Sequence, residues 1–275
     1  MRLYKLLFPV LAIILAALLF SGQSFAAGRQ ITIKGSTTVL PIAQASAEAF
    51  MEKNPAARIS VQGGGSGVGI TALIEKTCDI ADSSRRIKDE EVAKAKARGV
   101  IVNEIPIAMD GIAMIVHPSN KLSALTRRQI KDIYTGKVSD WSELGLGKGR
   151  IVVFSRDTSS GTYESFENLA INKERVRPDA LINASNQAIS SAVANTPGAI
   201  GYIGHGYLSR KVKAVSVDGV ACTRENILSG KYPLSRALYL YTNGKPQGDI
   251  KAFIDFVLGR DGKQIIEQEG FVGLK

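Results

Sequence analysis

Cysteine and histidine, which often serve in catalysis and metal binding, are scarce in this sequence. Among 275 residues there are two cysteines, two histidines and one tryptophan. Cys78, Cys222, His117 and His205 do not have the spacing of zinc ligands. Neither histidine lies in a motif that orients a base beside a nucleophilic serine. The composition argues against a metalloenzyme or a serine hydrolase, and it predicts no cofactor and no metal.

Dense blocks of charge, internal repeats and low-complexity tracts are also missing. The formal net charge is +10, yet the Lys and Arg residues are scattered and form no arm suited to nucleic acid. Beyond the N-terminus, no stretch is long and apolar enough to cross a bilayer. An excess of positive charge favours anionic partners without identifying one. We expect no nucleic-acid partner.

The N-terminus is typical of a secretory signal peptide. Arg2 and Lys5 precede an apolar run over 6–20, and 24–26 has the small-x-small form of a cleavage site. An uncleaved anchor would need a run of ~20 apolar residues. The sequence therefore predicts that 1–26 is removed and that the mature protein is periplasmic and soluble. In that oxidising compartment Cys78 and Cys222 could pair or stay as two buried thiols, and the sequence leaves both open.

Short apolar segments alternate with helical patterns along most of the chain, which predicts an α/β fold. Strands are expected at 100–105 and 112–116. A helix is expected at 126–134, with Thr126 as its N-cap. Amphipathic helices are expected at 249–258 and 262–268. The strands of such a sheet are expected to be mainly parallel.

Three turns of glycine and hydroxyl residues are the most informative feature of the chain. Each follows a predicted strand and precedes a predicted helix: Gly35–Thr38, Gly63–Gly67 and Ser159–Thr162. Backbone N–H groups at a helix start lack intrahelical partners and carry the positive end of the dipole, so they attract anions. Two turns lie in the first third of the chain and one lies past the midpoint. This separation predicts two lobes with a small oxyanion between them.

The second turn has other interpretations. A triphosphate-binding loop would end in Gly-Lys-Ser/Thr, and no lysine stands in 63–69. A dinucleotide loop would need an acidic residue to hold a ribose, a role open to Asp79 or Asp82. A flexible turn without a ligand is the simplest alternative, and a backbone nest for an anion is the functional one.

Charged residues near these turns add to the prediction. Arg156 stands four residues before Ser160, and its planar guanidinium matches two oxygens of phosphate or sulfate. Ser84 could donate to the same anion. Asp110 could accept a hydrogen bond from an anion that keeps a proton, as phosphate does near neutral pH and sulfate does not. A carboxylate in the site would therefore select phosphate over sulfate, although a turn aspartate before glycine is an alternative.

Taken in order, these motifs resemble the periplasmic phosphate-binding proteins of the high-affinity phosphate ABC transporter. The resemblance runs from about Ile31 to the C-terminus. It depends on the three turns, on Asp79–Arg85, on Arg156, and on the segments 196–202 and 232–236. It implies a type II "Venus flytrap" of two lobes, each a mainly parallel sheet flanked by helices, and a permease partner. The lobes would be 28–111 plus 233–275 and 112–232.

The resemblance and the residues together give a predicted ligand set. The predicted phosphate-binding residues are Ser36, Thr37, Thr38, Ser66, Ser84, Asp110, Arg156, Ser160, Gly161 and Thr162. In the family's pattern an aspartate that accepts the phosphate proton follows the short strand. Here Ser84 has that place, so Asp110 or Asp82 would substitute.

The prediction is a monomeric binding protein that delivers inorganic phosphate to the permease. Its rivals are a receptor for sulfate, molybdate or tungstate, a secreted phosphatase or esterase using Ser160 or Ser66, and a sensor or adhesion protein of the same fold. The enzyme is disfavoured because no base accompanies either serine.

Overall fold

The structure is a computed structural model that describes residues 30–274. The predicted signal peptide lies outside these residues. The strands are β1 Ile31–Gly35, β2 Ile59–Gly63, β3 Ile80–Ser83, β4 Val102–Val116, β5 Ala124–Leu125, β6 Val152–Arg156, β7 Leu181–Asn183, β8 Ala199–Gly204, β9 Lys213–Val217, β10 Ser235–Asn243 and β11 Val272–Gly273. The α-helices are α1 Leu40–Lys53, α2 Ser66–Ile74, α3 Asp89–Ala97, α4 Arg127–Tyr134, α5 Gly161–Leu169, α6 Asn186–Ala194, α7 Arg224–Leu228, α8 Gly248–Leu258 and α9 Arg260–Gln268.

The fold is α/β, as the alternation of strands and helices predicted. The strand order is β2-β1-β3-β10-β4-β8-β6-β7, with β9 and β11 also paired to β4. The outer strands are parallel at each end, β2-β1-β3 on one side and β8-β6-β7 on the other. The centre is antiparallel, because β10 pairs with β3 and β4, and β4 pairs with β8. The expectation of mainly parallel strands therefore needs correcting to a mixed sheet.

Strand β4 corrects a second expectation. The two strands expected at 100–105 and 112–116 are one strand of 15 residues. Pro106 cannot donate to a ladder and Gly111 is a weak strand former, yet the strand continues through both. The pairing with β10 shifts register here, because Leu238 faces Ala108 and Tyr239 faces Pro106, so that Ile107 is an extra residue in β4 and forms a β-bulge. The uninterrupted strand connects two separate cores.

Those cores divide the chain into two regions. One large core is formed by residues between Ile112 and Leu234, with Val272. A second contains residues between Ile31 and Ala108 and between Leu238 and Phe271. A smaller third core packs around Ile70 and Tyr241. We call 30–111 with 233–274 the first region, and 112–232 the second region.

Local sequence explains where the helices begin. Thr126 caps α4, as predicted, by accepting a hydrogen bond from the Gln129 N–H. Helix α1 has a proline in its first turn, where a missing N–H costs nothing. Among residues 30–274, none of the helices combines the length and apolar character needed to cross a membrane.

Cys78 and Cys222 are both buried and free. Of the two alternatives that the sequence left open, the structure has two separate thiols. Burial raises the pKa of each thiol to about 12, so both are protonated at neutral pH and packed as small apolar groups.

Candidate functional site

The first glycine turn follows β1 at Gly35, which pairs with Asp82 of β3. Gly35 has a φ of +148°, and a Cβ at this position would lie 2.1 Å from the Asp82 carbonyl oxygen, so a larger residue does not fit. Ser36 accepts hydrogen bonds from the N–H of Thr38 at 3.0 Å and of Val39 at 3.4 Å. The Ser36 oxygen therefore organises the turn, and it presents the two threonines that follow.

The second and third turns lie directly against each other. The Gly67 N–H donates to the Ser159 carbonyl at 2.9 Å, and the Ser159 hydroxyl donates to the Gly64 carbonyl at 3.1 Å. A Cβ on Gly161 would lie 2.3 Å from the Ser66 Oγ and 2.8 Å from the Ser84 Oγ. Two helix N-termini, those of α2 and α5, thus meet with Ser84 between them.

Hydroxyl groups line this junction. Ser66 accepts from the Ser84 N–H at 3.0 Å, and Ser160 is the N-cap of α5 through bonds from the N–H of Thr162 and Tyr163. Thr38 Oγ1 and Thr162 Oγ1 are 2.9 Å apart. All of these hydroxyl residues are buried, apart from Tyr163, whose backbone alone takes part. The structure therefore joins the three turns that are separated in sequence.

Arg156 ends β6 at the same junction, with its side chain 1% exposed. Its Nε and Nη2 donate to the carbonyls of Asn183 and Ala184, each at 3.0 Å. The nearest carboxylate, that of Asp157, is 3.6 Å from Nη2. The Nη1 atom is buried and has no hydrogen-bond partner among residues 30–274. Burial lowers the pKa of the guanidinium, and a buried unpaired donor is uncommon enough to indicate a ligand position.

Two further site residues were not among those predicted from the sequence. Arg236 on β10 is paired with Asp110 on β4, at 2.8 Å, and it also donates to Thr38 and Thr162. Asn186, the first residue of α6, donates to the hydroxyls of Thr37 and Thr38. The sequence offered a weak signal for Arg236, since 232–236 was part of the resemblance. It offered none for Asn186.

The two candidate carboxylates have different surroundings. Asp110 accepts from Arg236 through Oδ2 and from the His205 N–H through Oδ1. Both side-chain oxygens of Asp82 are buried without a hydrogen-bond partner among the described residues. Burial raises the pKa of Asp82 to about 8, and the Ser36 N–H lessens the shift. Asp82 is therefore largely protonated at neutral pH, while Asp110 is ion-paired.

An ion-pair cluster joins the two regions beside the junction. Arg85 binds Glu91 through two hydrogen bonds of 2.7 Å within the first region. The Arg85 Nε also lies 2.8 Å from the carboxylate of Glu164 on α5 in the second region. Lys88 reaches the same carboxylate at 2.9 Å. The cluster fastens α5 against the segment that carries Ser84.

The arrangement is rich in donors and poor in catalytic groups. No cluster of three or more His, Cys, Asp or Glu that could hold a metal occurs within 30–274. His205 contacts the Gly270 carbonyl through Nδ1, and His117 contacts Ser119. Buried guanidinium groups, hydroxyls and helix N-termini are the groups that bind an oxyanion. The geometry is that of an anion-binding site.

Known proteins are similar to this chain in sequence and in fold. Residues 22–261 match the family model of a PBP superfamily domain. The chain is 34% identical to the phosphate-binding protein PstS of Bacillus subtilis over 253 residues, which are 91% of this chain and 82% of that protein. It is 32% identical to the phosphate-binding protein PstS of Borreliella burgdorferi over 257 residues, 89% of this chain and 90% of that protein.

Solved structures agree with these relatives. One, from Clostridium perfringens, is described as a phosphate ABC transporter substrate-binding protein with bound phosphate. It has a TM-score of 0.84 and 38% identity, and the match covers 90% of this chain and all of that one. An ABC-type phosphate transport receptor from Vibrio cholerae has a TM-score of 0.75 and 32% identity, with 89% of this chain and all of that one covered.

Proposed function

Because this chain belongs to the PBP superfamily and, within it, to the family of the PstS phosphate-binding proteins, we propose that it captures inorganic phosphate for an ABC-transporter permease. The observation that carries the proposal is the junction of the three turns. Helix N-termini and buried hydroxyls meet there, and Arg156, whose Nη1 has no partner among residues 30–274, ends the strand that leads into the third turn. A tetrahedral anion would satisfy these donors at once.

The proposed ligand set keeps the predicted donors apart from Ser36 and adds two residues. Thr37, Ser66, Ser84 and the Thr38 backbone bind from the first region, and Arg156, Ser160, Gly161 and Thr162 bind from the second. Ser36 shapes its turn. Arg236 and Asn186 are the additions, because both contact the threonine hydroxyls of the site.

The two regions act as the two lobes. The lobe bounds are 28–111 plus 233–275 and 112–232, which accords with the change of hydrophobic core near Ile112 and Leu234. Lobe closure around the anion removes it from water, and the closed form is what the permease recognises. The ion pairs between Glu164 and the first region stabilise that closed form.

Asp110 is the carboxylate that distinguishes phosphate from sulfate. It forms an ion pair with Arg236, whose Nη2 also bonds the site threonines. Its carboxylate would accept a hydrogen bond from the O–H of hydrogen phosphate, whereas sulfate has no proton to donate. Asp82 contacts the backbone of Gly35 under the first turn, and its protonated form would donate to either anion.

Binding is not followed by chemistry. Neither His117 nor His205 is hydrogen-bonded to Ser66 or Ser160 in the described part of the chain. Without a base beside it, neither serine is activated as a nucleophile. A chromogenic phosphate ester should therefore be turned over no faster by the protein than by buffer, and turnover above that rate would favour a phosphatase.

The protein works outside the cytoplasm. Residues 1–26 are a cleaved signal peptide, and the mature chain is a monomer that meets the permease in the periplasm or at the cell surface. The relatives named PstS support the exported location through their family. Secretion of a shortened chain that begins near residue 27, detected by mass spectrometry, tests the cleavage.

Calorimetric titration of the purified protein with phosphate and then sulfate at pH 7 tests the function. Phosphate should bind, and sulfate should bind about ten- to a hundredfold more weakly because it has no proton with which to donate a hydrogen bond to the Asp110 carboxylate. Asp110→Asn should lose this discrimination and Asp82→Asn should keep it. Equal competition by sulfate, molybdate or tungstate would favour a general oxyanion receptor instead.

A further inference from the structure

We propose that Arg236 is a further anion-binding residue, which also fixes the direction in which the hydroxyls of Thr38 and Thr162 donate. This inference deepens the proposed function and rests on it. Arg236 is buried on β10, 80 residues after Arg156 in the sequence. It was not among the residues predicted to bind the anion. Its contacts give it two separate roles.

The first role follows from counting donors around Thr38. A hydroxyl has two acceptor positions and one hydrogen to donate. Thr38 Oγ1 faces the Asn186 Nδ2 at 3.0 Å and the Arg236 Nη2 at 3.2 Å. Both neighbours can only donate. The orientation of the Asn186 amide is fixed because its Oδ1 accepts from the Gly204 N–H at 3.1 Å.

With its acceptor positions used, Thr38 has to donate. The remaining neighbour of its oxygen is Thr162 Oγ1, at 2.9 Å. Thr162 also accepts from the Arg236 Nη2, at 3.0 Å. One Nη2 hydrogen points to Asp110 and the other is shared by the two threonines. Because Thr162 Oγ1 accepts from both Thr38 and Arg236, its own hydrogen points away from them and can be donated to the anion.

The second role belongs to the Arg236 Nη1. This atom is buried and has no hydrogen-bond partner among residues 30–274, which is also true of the Arg156 Nη1. Burial is the main cause of the lowered pKa of Arg156, and the charge of Arg236 adds to it. Arg236 reaches the junction through its bonds to Thr38 and Thr162, and an anion bound there would give both buried, positively charged donors an acceptor.

Asp110 holds the Arg236 guanidinium in place. Its Oδ2 accepts from Nε at 3.0 Å and from Nη2 at 2.8 Å. These bonds occupy one edge of the guanidinium and leave Nη1 on the other. The His205 N–H holds the second oxygen, Oδ1, at 2.9 Å. Since Arg236 on β10 and Asp110 on β4 are register partners, the ladder itself fixes the pair.

The test removes the arginine without leaving a buried charge unpaired. Arg236→Gln is made in the Asp110→Asn background, so that both partners become neutral amides. Phosphate affinity is measured by calorimetry for Asp110→Asn and for the double variant, and thermal unfolding checks that both are folded. The double variant should bind phosphate about ten- to a hundredfold more weakly than Asp110→Asn, the cost of losing one charged hydrogen bond.

A second measurement isolates the directing role. Thr162→Val removes the hydroxyl with little change in shape, and it should weaken phosphate binding about tenfold in the wild type. In the Arg236→Gln, Asp110→Asn background the same change should weaken phosphate binding only about threefold or less, because the hydroxyl is no longer directed. Arg86→Gln, which removes a surface arginine that is 75% exposed, is the matched control and should bind as the wild type does.

Three outcomes count against the inference. If Arg236→Gln has no effect in the Asp110→Asn background, the arginine serves only to neutralise Asp110. If Thr162→Val costs the same in both backgrounds, Arg236 does not direct the hydroxyl. If the wild type itself does not bind phosphate, the proposed function fails and this inference fails with it. If the wild type binds phosphate and the double variant binds it as well as Asp110→Asn does, only the inference is overturned.

Discussion

The two regions of the molecule differ in the groups that bind their buried arginines. In the first region each buried arginine has a carboxylate partner, Asp110 for Arg236 and Glu91 for Arg85. In the second region Arg156 is held by two carbonyls, and the nearest carboxylate is 3.6 Å away. The first region contains 15 Lys and Arg and 15 Asp and Glu, whereas the second contains 16 and 10, a net +6.

This difference indicates how the work of binding is divided. In the proposed site the first region would supply oriented hydroxyls and neutral charge pairs, and the second would supply the charge that an anion neutralises. A bound anion would be the missing counter-ion of Arg156 and would lie between the regions. We therefore expect substitutions in the two regions to have effects of different size.

Arg156→Gln should have the largest effect. Within the described residues 30–274 it removes the one buried guanidinium that lacks a close carboxylate, so phosphate should bind about a hundredfold more weakly. The measurement is calorimetric titration at pH 7. Arg150→Gln, at a side chain that is 73% exposed, should bind as the wild type does. If both variants bind equally well, the charge of the second region is not what holds the anion.

Gly161→Ala should have the next largest effect. A Cβ there would lie 2.3 Å from the Ser66 Oγ and 2.8 Å from the Ser84 Oγ, so the two regions could not approach as closely. We expect phosphate to bind about tenfold more weakly, the loss of roughly one good hydrogen bond. Gly147→Ala, where no atom lies within 4 Å of the new Cβ, is the control. Equal affinities for the two variants would mean that the turns do not meet in the complex.

Asp82→Asn should change the pH dependence of stability in the first region. The pKa of Asp82 is raised from 3.8 to about 8 in the folded protein, so between these values the folded state keeps a proton that the unfolded state releases. The Asp82 carboxyl should therefore lower the free energy of unfolding by about 1.4 kcal/mol for each pH unit as the pH rises towards 8. Above pH 8 it should cause no further decrease, because both states are then deprotonated.

Urea unfolding without phosphate, from pH 5 to pH 9, measures this slope. The curve of the wild type should fall relative to that of Asp82→Asn up to about pH 8 and then run parallel to it. Asp89→Asn, at an exposed position, should follow the wild type. Parallel curves for the wild type and Asp82→Asn over the whole range would contradict the buried, unpaired carboxyl.

Glu164→Gln should have the smallest effect. It weakens the contacts of Glu164 with Arg85 and Lys88 across the two regions, while Arg85 keeps its pair with Glu91. Phosphate affinity should fall about threefold, since a partly exposed ion pair contributes about 0–1 kcal/mol. Calorimetry beside Glu90→Gln, a change at an exposed glutamate on α3, gives the comparison. Identical affinities would show that these ion pairs do not support the closed form.

Much of this site was predictable because its parts are local. Each glycine and hydroxyl turn is a short sequence whose backbone geometry follows from its residues, and Arg156 is near the third turn in sequence. The N-cap of α4 at Thr126 was predictable for the same reason. Such features depend on neighbours within about four residues.

The rest depends on tertiary contacts. Asn186 reaches Thr38 across 148 residues, and Arg236 reaches Asp110 across 126, so no local pattern marks either pair. The sequence also predicted two strands where β4 is one, because the bulge at Ile107 that keeps β4 paired with β10 is visible only in the strand register. The choice between Asp82 and Asp110 needed the structure too, since only the contacts tell an ion-paired carboxylate from an unpaired one.

A crystal structure of the protein with phosphate tests the account most directly. The anion should lie between the two regions, within hydrogen-bond distance of the Arg156 Nη1 and of the N–H groups that begin α2 and α5. Phosphate found only elsewhere, for example in the surface cleft lined by Arg127, Arg128 and Lys131, with the three turns empty of it, would contradict the account.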